Sequence, residues 1–480
     1  MLGEWLNAAG PLGAIVGFIV GGMVMMLIAL CYAEVGTMLP VDGGELAYAY
    51  EIFGLRTAYA VGWLLALGYV GIAAFEAISA GWLLSVIFPG LRGPTLYTIG
   101  ADSVRLGPLL VGTVGMVCIT LLNYRGIELA ARFQDIFTHS KIGLALVFLT
   151  CGILFGKADH LRPLFQHTET GAIAWGGVFS VMVTAPFWYS GFNAIPQVME
   201  EKSGQTGLRT VGRMMLLSLA VAIVFYCVVI TSSSMAIPWR ALVTHDLPTV
   251  AAFRTGLGSP ILANLVLIAG LFGIFTAWNA VFIAGSRVLF ALGRAQVISS
   301  SFGAVHSVFR SPFVSVFFVG TIGFFAVFLG RTAILPIANI GSSCFAFAFL
   351  ITSLGMLRLR LSRPRADRPY RAPGGIFTAL VAAAGSLFML LMSLYQPYAA
   401  ARGRVSLEWK LLLIWLVLGT ILWFGAGRIR NRTSEIDRRQ LIVGAPFGTE
   451  EQLLGKSDPG LAATVSVIDH PDMATDITLD

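Results

Sequence analysis

The chain has 480 residues, of which 56% are hydrophobic and only 12% charged, a balance that excludes the soluble domain classes and marks a polytopic membrane protein. Its net charge of +7 comes from arginines held in short segments between apolar runs. There they act as topology determinants, so no nucleic-acid partner is expected.

Apolar windows long enough for a bilayer begin near Gly10, Ala58, Pro108, Ile136, Ile173, Val211, Ile261, Phe313, Ala333, Ile376 and Leu411. They predict about eleven spans of roughly twenty residues. The first ten residues lack a basic n-region and a cleavage signature, so they are not a signal peptide. Glu34 falls near the end of the first span and Glu76 inside the second. An intramembrane carboxylate needs a cation or a wet cavity, so Glu76 is a candidate contact for a substrate amine or a partner for another side chain. Glu34, like Glu200 and Glu201 further along, is expected to pair with loop arginines and hold an intracellular gate, or simply to solvate a helix end.

The most informative stretch is Val183 to Glu201, where Pro186, Ser190, Gly191 and Pro196 interrupt an apolar run. Non-helical backbone at membrane depth is tolerated only where it faces protein or a wet cavity. Paired half-helices of this kind present backbone N–H and C=O groups to a solute at mid-membrane, as many secondary transporters do. Ser190, Gly191 and Phe192 mark the expected unwound turn and are assigned to substrate binding; the same breakers could instead bend a structural helix. Beyond it, Arg358, Arg360, Arg363, Arg365, Arg368 and Arg371 face a single acid, Asp367, which predicts a cytoplasmic loop. Alternate loops carrying Arg125 and Arg132, Lys202, Arg209 and Arg213, Arg294 and Arg310, and finally Arg428, Arg430 and Arg432 agree. Counting back places residues 1–10 outside, and the simplest account is that one more helix belongs before Met1. The five cysteines are isolated and the six histidines form no i, i+4 pair, so neither metal nor disulfide is suggested, and no cofactor is expected. No constellation for enzymatic chemistry emerges. From Arg428 the chain turns polar, and residues 428–480 read as a flexible cytoplasmic tail.

Several motifs together resemble the amino acid-polyamine-organocation (APC) permeases, over roughly Gly10 to Gly427. Ala9-Gly10-Pro11 followed by Tyr32-Ala33-Glu34, Pro40 and Gly43-Gly44 looks like that family's second helix and the loop after it. Asn123-Tyr-Arg-Gly126 with Ala131-Arg132-Phe-Gln134 resembles the entry to its fifth helix, and the broken span its sixth. Gly285-Ser-Arg287 with Gly293-Arg294 resembles the end of its eighth, and Arg368-Pro-Tyr-Arg-Ala-Pro373 the loop after its tenth. The resemblance implies an all-α membrane protein of the LeuT-like fold. Its 5+5 inverted repeat would leave a first-repeat remainder at 10–156 and a second repeat at 173–360, with two extra helices at 375–427, all in one permease domain, 1–427. The family's first helix then has no counterpart here, either because the true start lies upstream or because the product is truncated.

The resemblance also implies roles. Phe187 matches the aromatic that closes over bound substrate, where a ring can stack on an ammonium, although aromatics in membrane helices are more often packing. Lys141 matches the position where proton-coupled relatives carry an amine in place of the sodium ion of others. An amine that loses hydration as the cavity closes could release and regain a proton; the alternative is a lysine that snorkels to the cytoplasmic interface. The implied function is a plasma-membrane secondary transporter for an amino acid or amine, coupled to protons and working by alternating access. The alternatives are an exchanger or facilitator, or a non-transporting fragment or amino acid sensor.

Overall fold

The structure, a computed structural model, describes the backbone of residues 1–41, 43–99, 102–125, 127–198, 207–401 and 404–443; the side chains of 127–136, 196–198 and 443 fall outside that description. In a bilayer every backbone N–H and C=O must be satisfied within its own segment, so a chain this apolar folds as helices. In order they are α1 (Leu2–Met38), α2 (Glu45–Phe53), α3 (Leu55–Ile87), α4 (Leu106–Arg125), α5 (Ile127–Phe155), α6 (Trp175–Val183), α7 (Ala185–Trp188) and α8 (Leu208–Ala236). There follow α9 (Trp239–Leu242), α10 (Pro248–Ala251), α11 (Pro260–Arg294), α12 (Phe313–Val327), α13 (Ile334–Ser362), α14 (Ile376–Ala400), α15 (Leu407–Gly425), α16 (Gly427–Arg432) and α17 (Glu435–Val443). A short hairpin, β1 (Thr95–Ile99) with β2 (Asp102–Arg105), pairs antiparallel between α3 and α4.

Among the described residues nine helices are long and apolar enough to cross a membrane. The shorter apolar helix α12 and the interrupted stretch from Trp175 to Val198 complete the eleven expected segments. α3 and α13 are the most enclosed, with 61% of their spanning residues buried, and α15 the least, with 11%. The bundle is thus organised around α1, α3, α11 and α13.

Three details position the rest. α1 is broken at Gly10 (φ 74°), before Pro11, where a Cβ would come within 2.7 Å of the Gln166 nitrogen. The loop before α6 fills the gap: Leu12 N–H donates to Leu164 O and Gln166 N–H to Ala9 O, both at 2.9 Å, so the freed backbone groups are satisfied from outside the helix. The peripheral α15 is tied to α3 by two stacked indoles that exchange hydrogen bonds, Trp63 Nε1 to Trp415 O and Trp415 Nε1 to Trp63 O, each 2.9 Å. Gly419 makes room for the Trp63 ring, and its carbonyl accepts from Tyr59 Oη at 2.6 Å. Finally, helix continues past the boundary at 427 drawn from composition. α17 docks under α2, with Ile442 buried and Arg439 donating to Glu51 (3.0 and 3.1 Å). Residues 444–480 lie outside the described residues.

Candidate functional site

The interrupted segment is built from local chemistry. α6 stops at Val183, and Pro186, which has no N–H to lose, opens the single turn α7. Ser190 Oγ then donates back to Phe187 O at 2.7 Å, closing the turn without continuing it. Gly191 takes φ +126°, and a 3₁₀ turn runs from Phe192 to Val198. No atom lies within 4 Å of the position a Gly191 Cβ would occupy, and the residue is exposed, so this non-helical backbone borders open space. The Gly191 N–H is held by Asn193 Oδ1 at 3.0 Å.

Around the turn the predicted residues separate. Phe187 is buried, its ring lying on Gly341 of α13 and packing edge-on against Phe75 and Trp188 (centroids 5.5 and 4.9 Å). Phe192 contributes only backbone to the open side, because its ring is buried between Tyr32 of α1 and Phe349 of α13 (5.4 and 5.6 Å). A side chain just after a break emerges at an angle that helical spacing does not specify.

Glu76, on α3 beside Phe75, is 9% exposed and has no hydrogen bond among the described residues. Lys141 on α5 is half-buried and donates from Nζ to Thr276 Oγ1 of α11 at 2.7 Å, so it points toward α11. The two charges lie within electrostatic reach of each other, and Tyr226 on α8 lies within reach of Glu76. Tyr226 also donates to Trp188 O at 3.1 Å, which links this polar group to the broken segment. Glu76 and Lys141 therefore share one neighbourhood, joined to the broken segment through Tyr226 and Trp188.

At the end of the bundle carrying the arginine-rich loop, Glu34 is 1% exposed and fully engaged. It accepts from Arg360 Nε and Nη2 (2.9 and 2.6 Å), Arg368 Nε (3.1 Å) and the Ala372 N–H (2.7 Å). Nearby Glu51 accepts from both Arg363 and Arg439. Glu201, the other expected gate residue, lies outside the described residues.

Sequence reasoning missed the tie between these two levels. Asn193 Nδ2 donates to Glu45 Oε1 and approaches Tyr69 Oη, each at 2.9 Å, while Tyr32 Oη donates to Glu45 at 3.3 Å. Glu45 and Asn193 are almost wholly buried, so the first turn of α2 is pinned to the foot of the break. The available signal was a carboxylate directly after Gly43-Gly44 and an asparagine two residues past Gly191.

Comparison with known proteins fits this architecture. The chain is 28% identical over 423 residues to the methylthioribose transporter of Bacillus subtilis, covering 87% of this chain and 86% of that one. It is 25% identical over 448 residues to the branched-chain amino acid permease BcaP of the same organism, covering 91% and 90%. It is 24% identical to the mouse cationic amino acid transporter 4, covering 77% of this chain and 58% of that one. These relatives are transporters and not enzymes, although their names do not share a cargo. The family model described as amino acid permease matches residues 3–425, and with eleven apolar segments around a broken helix the chain belongs to that family: it is a secondary transporter of the amino acid permease type.

Proposed function

We propose that this permease carries an amino acid or related amine by alternating access around the Ser190–Gly191 turn, and that Lys141 moves the coupling proton. The cargo carboxylate and ammonium would meet backbone groups freed at the turn, with Glu76 as counter-charge to an amine and the Phe187 ring as the moving cover. Residues 10–156 and 173–360 would be the two repeats that move against each other, with 375–427 appended. The membrane is the plasma membrane, with the 358–371 loop and the chain's end in the cytoplasm and the bilayer as its lipid partner. At the cytoplasmic end the Glu34–Arg360–Arg368 cluster and the Asn193–Glu45 tie close the path in this conformation.

The observation that carries the proposal is the Lys141–Thr276 hydrogen bond beside Glu76. A neutral amine can still bond to the Thr276 hydroxyl, whereas a charged one requires a counter-charge or water, so both protonation states have a partner here. Glu76 supports a second reading: if it holds Lys141 charged throughout the cycle, the protein exchanges substrates instead of concentrating them. Uptake into proteoliposomes with an imposed pH gradient and no sodium separates the two. Accumulation that follows the gradient and disappears in Lys141→Met supports coupling; gradient-independent exchange in wild type would overturn it.

A further inference from the structure

At the end of the bundle opposite the arginine-rich loop, a cavity of about 270 Å³ lies under the hairpin. It is separate from the site described above. Ile78, Trp82 and Ser85 form the lining stripe of α3, whereas Glu76 precedes Ile78 by two residues and so points roughly 200° around the same helix. The remaining walls come from β2, the start of α4, and the joint between α12 and α13.

The charged groups in this cavity are not evenly used. Arg331 lies over the Trp82 ring at 4.4 Å and donates through Nη1 to Asp246 at 2.8 Å, with its other donors uncommitted among the described residues. The Arg92 side chain uses only Nε, on Ser85 O at 3.3 Å, and the Arg105 side chain makes no hydrogen bond among the described residues. Against these three cations stand Asp246 and Asp102, the latter only 3.5 Å from the Thr332 hydroxyl. Three solvent-exposed guanidinium groups, each with donors left over, around one open cavity with one net positive charge match a carboxylate.

We propose that this cavity is a second ligand site, taking a small carboxylate in the form of a free amino acid, outside the translocation path. The choice of an amino acid rests on the family membership; the carboxylate chemistry rests on the arginines alone. A bound carboxylate would bridge Arg92 and Arg105, on the hairpin side, to Arg331 in the turn that leads into α13. Because α13 also carries Gly341 under the Phe187 ring, occupancy at the far end would bear on the helix that closes the central turn.

The test is scintillation-proximity binding of tritiated L-leucine to purified full-length protein, with 4-methylpentanoate (carboxylate only) and isoamylamine (amine only) as competitors. In Gly191→Leu, which blocks the central turn, one saturable site should remain, displaced by 4-methylpentanoate and not by isoamylamine. Adding Arg92→Gln and Arg105→Gln should weaken that site tenfold or more. With the central glycine intact, the same double arginine variant should retain central binding, so a failure of the central site is scored separately. A monodisperse Gly191→Leu protein that binds neither leucine nor 4-methylpentanoate overturns the proposal. So does a remaining site that isoamylamine displaces or that ignores the arginine substitutions.

Discussion

Glu34 gives the sharpest energetic test of the fold. Its carboxylate takes three bonds from two guanidinium groups and one from a backbone N–H, at 1% exposure, while Arg360 and Arg368 are themselves only 13% and 8% exposed. Glu34→Ala leaves the Ala372 N–H without its acceptor and two enclosed cations without their counter-charge, held only by backbone carbonyls. Breaking a buried pair in this way costs about 3–5 kcal/mol, or roughly two to three and a half orders of magnitude in the unfolding equilibrium. Glu34→Gln keeps the shape and one acceptor oxygen and should lose less. The control is Asp246→Ala, because the Arg331–Asp246 pair is 43% and 65% exposed and an exposed pair contributes only about 0–1 kcal/mol. Equilibrium unfolding in mixed detergent micelles measures all three variants on one scale. If Glu34→Ala costs no more than Asp246→Ala, the cluster is not the buried anchor described here.

Other substitutions address the site directly. Gly191→Leu puts a side chain into the open space beside the turn and should abolish central substrate binding; because φ +126° strains any residue with a Cβ, a modest fall in melting temperature should accompany it, and unchanged affinity in the folded variant would place the site elsewhere. Gly341→Ala sets a Cβ 2.7 Å from the Phe187 ring, so it should displace the ring and change which side chains the permease accepts by at least severalfold in competition assays. Lys141→Met removes the amine that bonds to Thr276 and should lose pH-driven accumulation while keeping exchange. Arg365→Cys should resist impermeant thiol reagents in sealed cells, and rapid labelling would reverse the assigned orientation.

Legibility in the sequence followed the range of the interactions. The apolar segments, the break at Gly191 and the arginine loop are each written in consecutive residues, so composition and helix breakers located them. Lys141 could be placed on α5, but the Thr276 that receives it is 135 residues away. The same limit hid Asn193–Glu45, separated by 148 residues, and the loop backbone that repairs the Gly10 break. Ala9-Gly10-Pro11 was visible as a motif, yet nothing local indicates that Leu164 and Gln166 complete it. The direction of the Phe192 ring was hidden for a related reason: rotation through a positive-φ glycine decouples later side chains from helical phase.

The indole pair between α3 and α15 bears on which parts of this permease can travel together. α15 also meets α13, where Asn339 Nδ2 donates to Glu408 Oε1 at 3.1 Å, but most of its surface is turned outward, so dispersion alone would let it slide or roll against its neighbours. Two reciprocal N–H···O=C bonds fix both its height and its rotation relative to α3, and in hydrocarbon no water competes for those donors. The outermost helix must therefore ride with α3 as a single rigid piece. Any dividing line between moving and static parts has to leave both on the same side, so the sliding seam cannot run between Trp63 and Trp415.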